Sequence, residues 1–213
     1  MNNIIEMVEI GRRFDRSWVL AHMNLTIKKG ESVALFGANG SGKSTLLKIL
    51  ATLLSPTTGR FQIFGKNPEK EKSFIRRHLR LLGHDKQLYG SLTPLENLRL
   101  AARIRGLDYN DKIFESLLGQ LQILPFKDQP IGELSEGTKK KLVLAKLLLG
   151  DPELILMDEP YPALDKSGRE ILGHLIHEWR HEGKTLIIAS HDHEETIKHV
   201  DRVLTLQGGM ISS

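Results

Sequence analysis

Short apolar runs alternate along this chain with stretches of helical apolar spacing. Ile4 to Ile10, Met23 to Lys28 and Arg60 to Phe64 predict strands. A polar turn joins the first two, and Thr58-Gly59 leads into the third. Ser32 to Phe36, Leu154 to Met157 and Thr185 to Ser190 are continuous apolar runs, the pattern of strands covered on both faces. Lys43 to Leu50 has helical spacing. From about residue 86 to 150 no strand pattern occurs. In that interval Thr93-Pro94-Leu95-Glu96 supplies a capping residue, a proline at the first helical position and a Glu three residues after the cap. The helix it opens is predicted to run through Arg105 and stop at Gly106. A second is predicted from Asp111 to Leu124, stopping at Pro125, and a third from near Ser135 to Gly150. The expected organisation is an α/β core made of residues 1–85 and 151–213, with a helical subdomain at 86–150 inserted into it.

Composition narrows the class. A chain of 213 residues can bury a full core, and no apolar run reaches the ~18–20 residues of a membrane span. Met1-Asn2-Asn3-Ile4-Ile5-Glu6 has no basic segment leading into an apolar stretch, so a secretory signal is not expected. The absence of cysteine excludes a disulfide framework and thiolate metal sites. The formal charge of +4 comes with no basic-aromatic motif, so it reads as a Lys/Arg excess around a phosphate site, and no nucleic-acid partner is expected. Lys139-Lys140-Lys141 reads as a solvated helix face.

The chemistry begins with Gly37-Ala38-Asn39-Gly40-Ser41-Gly42-Lys43-Ser44, a complete G-x-x-x-x-G-K-[ST] phosphate loop between a strand and a helix. Its glycines let backbone N–H groups point at phosphate oxygens, and the following helix, Thr45 included, adds its positive end. Lys43 can reach the β/γ-phosphates, and the Ser44 hydroxyl can ligate Mg²⁺. The run Leu154 to Met157 delivers Asp158 and Glu159 to its C-terminal end, the edge where open α/β sheets bind ligands. Asp158 is placed to support Mg²⁺ and Glu159 to polarise a water for attack on the γ-phosphate. The run Thr185 to Ser190 ends in His191, which can hydrogen-bond that phosphate. His174, His177, His181, His193 and His199 read as solvated helix-face residues.

These motifs, in this order, resemble the ATP-binding cassette ATPases, and the resemblance covers about Val8 to Gly209. Leu134-Ser135-Glu136-Gly137-Thr138 is similar to the family's L-S-G-G-Q signature. There Ser135 caps a helix whose free N–H groups, with that of Gly137, form an anion site. The resemblance implies that this site meets the γ-phosphate held by a second ATPase subunit. Pro160-Tyr161-Pro162-Ala163-Leu164-Asp165 looks like the family's dimer-contact loop, His191 matches the switch histidine, and Phe14 falls where an aromatic ring stacks on adenine. The implied fold is a P-loop NTPase core of mostly parallel sheet, with an N-terminal antiparallel β subdomain and an inserted helical subdomain. The implied activity is Mg²⁺-dependent ATP hydrolysis that powers integral membrane permease subunits from the cytoplasmic face of the inner membrane. Glu136 and Thr138 depart from the signature. A Gln that joins the metal to the membrane subunit is expected at His84 by gapless counting, or at Gln87 with a three-residue shift.

Within the family, Leu82-Gly83-His84, Leu92-Thr93, Leu95 to Arg99 and Asp158 to Tyr161 resemble the ATPase of the cytochrome c biogenesis haem exporter. ATPases of other small exporters share much of this pattern. A soluble member of the superfamily acting on nucleic acid or ribosomes would share the ATPase motifs, but here no coiled coil and no second cassette accompany them.

Overall fold

The computed structural model describes residues 3–83 and 88–212. In chain order its elements are β1 (Asn3–Phe14), β2 (Ser17–Lys28), β3 (Ser32–Phe36), α1 (Lys43–Leu50), β4 (Thr58–Ile63), α2 (Lys72–His78) and β5 (Leu79–Leu82). Then come α3 (Pro94–Ile104), α4 (Asp111–Gln120), α5 (Glu136–Leu147), β6 (Leu154–Asp158) and α6 (Lys166–His181). β7 (Thr185–Ala189), α7 (His193–Ile197), β8 (Arg202–Gln207) and β9 (Met210–Ser212) complete the chain. The chain divides into two compact units: Met1–Gly83, Pro152–Pro160 and Ile176–Ser213 form one, His84–Asp151 and Tyr161–Leu175 the other.

The first unit contains two sheets. β2, β1 and β4 pair in that order as an antiparallel sheet. The second sheet has the order β5-β6-β7-β3-β8-β9; all its neighbours are parallel except β8 and β9. Every residue of β3, β6 and β7 is buried, which explains why these strands read as unbroken apolar runs. Register places Asp158 and Leu35 each opposite Ala189, so the C-terminal ends of the three strands lie side by side. The core behind them includes Ile5, Ile10, Leu20 and Ile27 from the antiparallel sheet and Leu46, Leu47, Ile49 and Leu50 from α1.

In the second unit, α3, α4 and α5 pack on one another and bury Leu98, Ala102, Phe114, Leu118, Leu142 and Leu144. The start of α3 is a full capping box. Thr93 Oγ1 accepts from Glu96 N, Glu96 Oε2 accepts from Thr93 N at 2.8 Å, and Pro94 opens the helix. The Asn97 side chain bonds both the N–H and the C=O of Tyr89, which ties the preceding segment to the helix.

Several boundaries differ from the sequence expectation. β1 and β2 each span 12 residues, longer than the expected Ile4 to Ile10 and Met23 to Lys28, and the polar turn that joins them is confined to Asp15-Arg16. Register shifts between Met7 and Ile10 and again up to Arg13 break the apolar alternation that would have shown the full strands. α4 stops at Gln120, four residues early, because Gln122 takes the left-handed conformation (φ 58°) and Ile123 N bonds back to Leu118 O. A glycine would have flagged that end; a glutamine does not. α5 ends at Leu147, before the Gly150 that the sequence suggested.

Candidate functional site

β3 ends at Phe36 and the chain enters the phosphate loop. At Gly37 (φ 156°) a Cβ would lie 2.4 Å from Leu206 O and 2.6 Å from Ser41 Oγ. At Gly42 (φ 109°) it would meet Leu20 Cδ2 at 2.8 Å. Both positions need glycine for close approach as well as for conformation. Gly42 is also the N-cap of α1, with no capping side chain and no acid in the first turn, so the leading N–H groups remain available to an anion. Lys43 is only 7 % exposed; its Nζ donates to Gly37 O at 2.6 Å and Ala38 O at 3.2 Å, which folds the ammonium into the loop. Ser41 Oγ is buried without a hydrogen-bond partner. Ser44 and Thr45 follow in the first turn of α1, and Asn39 and Gly40 form the exposed rim. A cavity of about 480 Å³ opens over the loop, walled by Trp18, Val19 and the β8–β9 turn. This cradle fits a nucleotide phosphate chain: it offers an orphaned hydroxyl, a buried ammonium and a helix start free of acids.

The acids stand at the end of the neighbouring strand but one. Asp158 closes β6 and is 4 % exposed. Glu159 follows in a left-handed conformation (φ 51°), its N–H bonded to Ala189 O at 2.9 Å, so the pair is fixed by the ends of two strands. Glu159 Oε2 accepts from His191 Nδ1 at 2.8 Å and faces His191 N at 3.4 Å. The Glu159 carboxylate is largely buried, while the imidazole is mostly exposed. One face of the first unit therefore carries an anion cradle, two carboxylates and an imidazole joined to one of them. A hydroxyl (Ser44) and a carboxylate (Asp158) form a donor set that suits a hard divalent cation whose remaining ligands come from phosphate and water. Among the described residues no group of three or more acids and histidines could hold a metal by itself.

The second unit carries the signature. Ser135 is the N-cap of α5; its Oγ accepts from Thr138 N at 3.1 Å and lies 2.9 Å from Thr138 Oγ1. The Glu136 carboxylate is held by Lys139 Nζ at 3.2 Å within the same turn. A Cβ at Gly137 would meet Ala163 O at 3.2 Å, so the loop 160–165 packs directly on this helix start. Lys141, expected on a solvated face, is instead 8 % exposed and paired with Asp165 Oδ1 at 3.4 Å, while the same carboxylate oxygen accepts from Gly168 N at 2.7 Å. The two neighbouring lysines are half-buried. The pairing links α5 to the first turn of α6, and a helix-spacing argument that counted charge alone missed it.

Phe14, expected under adenine, ends β1 with 42 % exposure and carries the Arg12 guanidinium over its ring at 4.5 Å. It is absent from the cavity wall, where the aromatic residue is Trp18. Trp18 belongs to no motif and lies outside the strands that the apolar pattern predicts. His84 and Gln87 lie outside the described residues. His174, His177 and His181 are exposed as expected. His193 is exposed yet stacks on Phe36 at 3.9 Å, beside the phosphate loop, and half-buried His199 has its pKa lowered by burial against the opposing pull of Glu195.

Comparison with known proteins identifies the family. Residues 20–162 match the ABC transporter family. The ABC transporter ATP-binding protein NatA of Bacillus subtilis is 31% identical over 98% of this chain and 87% of its own length. The bacitracin transport ATP-binding protein BcrA of Bacillus licheniformis is 32% identical over 99% of this chain and 69% of its own. Among solved structures, an ATP-binding subunit of an ABC transporter matches with a TM-score of 0.90 at 27% identity, covering 99% of this chain and 88% of that one. A dimeric ATP-binding cassette in a post-hydrolysis state, bound to ADP and Pi, matches with a TM-score of 0.89 at 26% identity, covering 98% and 97%. No helix among the described residues is long and apolar enough to cross a membrane. The chain belongs to the ABC transporter family as an ATP-binding subunit with ATPase activity.

Proposed function

We propose that this chain drives an integral membrane permease by closing with a second ATPase subunit around ATP, hydrolysing it and reopening. The observation that carries the reading is the Glu159–His191 pair held beside the phosphate cradle by adjoining strand ends. Residues 1–85 and 151–213 act as the nucleotide-binding core and 86–150 as the helical subdomain that meets the membrane partner, at the cytoplasmic face of the inner membrane.

In this reading Lys43 leaves its carbonyl partners for the β/γ-phosphates, a short movement of a long side chain, and the free N–H groups of α1 neutralise the same charge. Mg²⁺, held through Ser44 and Asp158, would supply charge neutralisation between the phosphates. Glu159 takes the proton of the attacking water. His191, bonded to Glu159 through Nδ1, bridges base and γ-phosphate and registers when the phosphate has left. Ser135 and Gly137 of the opposing chain complete the anion shell. Glu136, held by Lys139, is directed onto its own helix, so the signature's departure need not repel the phosphate. Positioning and charge neutralisation supply the catalysis.

A narrower reading, export of haem for cytochrome c maturation, rests on the sequence runs named above. Thr93, Glu96 and Asn97 of those runs build the start of α3, Arg99 pairs with Asp111 at 2.8 Å, and Tyr161 is a core residue. Those side chains have fold-level reasons to be where they are, so the weight of this reading falls on the partner. Affinity purification of the tagged chain from mildly solubilised membranes tests both levels. Recovery of a multi-span membrane protein supports the transporter, and haem-handling partners beside it support the narrower reading. Soluble or nucleic-acid-bound partners alone would overturn both.

A further inference from the structure

The first unit has a second hollow, of about 350 Å³, lined by Glu9, Trp18, Ala21, His22, Thr58 and Gly59 of the antiparallel sheet. We propose that it binds a small organic cation: an ammonium group carried on a flat, apolar body. Its lining is mostly apolar: Ala21 presents a methyl group, and Gly59 (φ 83°) lies so close to the β1 backbone that any Cβ would be 2.3 Å from Glu9 O. Trp18, half exposed, supplies an aromatic wall. Arg13 rests over that ring at 5.7 Å, and a ligand cation would share or displace this contact.

The charged element is Glu9, and it is fixed in place. Its Oε1 accepts from Asn24 Nδ2 at 2.7 Å, its Oε2 from His22 Nδ1 at 2.8 Å, and its N–H donates to Asn24 Oδ1 at 3.0 Å. Glu9 (φ 55°) and His22 (φ 46°) both occupy the left-handed region, an uncommon conformation for these residues. Two strained residues on paired strands thus hold one carboxylate at the edge of an apolar hollow. The bonds from Asn24 and then His22 lower the Glu9 pKa, which keeps it ionised. The remaining lone pairs of the Glu9 carboxylate are acceptors. A ligand must bring the N–H donors and the positive charge. Arg13 opposes that charge and Glu9 is partly solvated, so the affinity is modest, with Kd of order 1 mM.

Trp18 also walls the nucleotide cavity. Any factor by which a bound cation changes ATP affinity is the factor by which ATP changes cation affinity. The site itself does not depend on the mechanism proposed above.

The chain has two tryptophans, Trp18 and the buried Trp179. Fluorine NMR of the full chain carrying 5-fluorotryptophan, without nucleotide, should give two lines; Trp18→Phe assigns them. Phenethylammonium is expected to shift the Trp18 line saturably and leave the Trp179 line in place. The neutral analogue 2-phenylethanol is expected to bind about tenfold more weakly, and Glu9→Gln to weaken phenethylammonium about tenfold, as loss of a charge-assisted contact implies. An unmoved Trp179 line in Glu9→Gln shows that the variant is folded. No saturable shift, equal affinity for the two probes, or unchanged affinity in Glu9→Gln would each overturn the proposal.

Discussion

The phosphate loop of the first unit and the Ser135 turn of the second both open a helix, yet they are built in opposite ways. The loop is determined by its backbone. Gly37 and Gly42 sit where a Cβ would collide with Leu206 O or Leu20, between a fully buried strand and a helix whose first turn holds no acid. The signature turn relies on one hydroxyl, Ser135 Oγ, and on side chains that satisfy one another: Thr138 with Ser135, Glu136 with Lys139, Lys141 with Asp165. Backbone-determined sites permit few residue types. Side-chain-determined ones admit substitutes, which is how a helix with Glu136 and Thr138 keeps its cap.

Breaking the chemistry at the first region should have the largest effect. Glu159→Gln is expected to lower kcat at least about 100-fold while ATP affinity changes only a few-fold, measured by phosphate release and nucleotide binding. Wild-type turnover in that variant would remove Glu159 as the base. Gly37→Ala should follow. The added methyl meets Leu206 O, so the loop must deform; a stability loss of about 1–3 kcal/mol and an ATP Kd raised tenfold or more are expected, by chemical denaturation and titration calorimetry.

The second region should yield less. Thr138→Val keeps the shape of the side chain but removes the hydroxyl that meets Ser135. A several-fold loss in ATP-driven association, with intrinsic nucleotide affinity of the single chain unchanged, is expected. If affinity fell and association did not, Thr138 would act elsewhere. Glu136→Gln should change stability by less than about 0.5 kcal/mol, because an ion pair within one helical turn whose carboxylate is solvent-exposed contributes little.

A pH titration adds a separate handle on the helical unit. Burial, with the nearby Arg105 charge second, lowers the Lys146 pKa to about 8. The unfolded chain then binds more protons than the folded one between pH 8 and the ordinary lysine value, so stability from this group rises with pH across that window. Lys146→Met should flatten the rise in Tm; an unchanged slope would assign it to other groups.

The same contrast explains what the sequence disclosed. The phosphate loop, the β6 acids and His191 were legible because glycines, continuous apolar runs and strand ends are direct consequences of backbone geometry. The capping box of α3 was legible for the same reason. β1 and β2 were read short because irregular register, with Glu9 and His22 in left-handed backbone, breaks the period-two pattern. Trp18 lies in that stretch and stands on the cavity wall, whereas Phe14, the aromatic expected at adenine, is not among the wall residues. The Lys141–Asp165 pair joins residues 24 positions apart in two helical turns, a relation no local pattern encodes.

In the proposed cycle ATP joins the two kinds of site across a pair of chains. Sedimentation velocity of Glu159→Gln, with and without Mg²⁺-ATP and with Ser135→Arg added, tests it most directly. The predicted result is a monomer without nucleotide, a dimer with it, and a monomer again under both conditions when Ser135 is replaced. A monomer in saturating ATP, or a dimer indifferent to both nucleotide and Ser135, would contradict it.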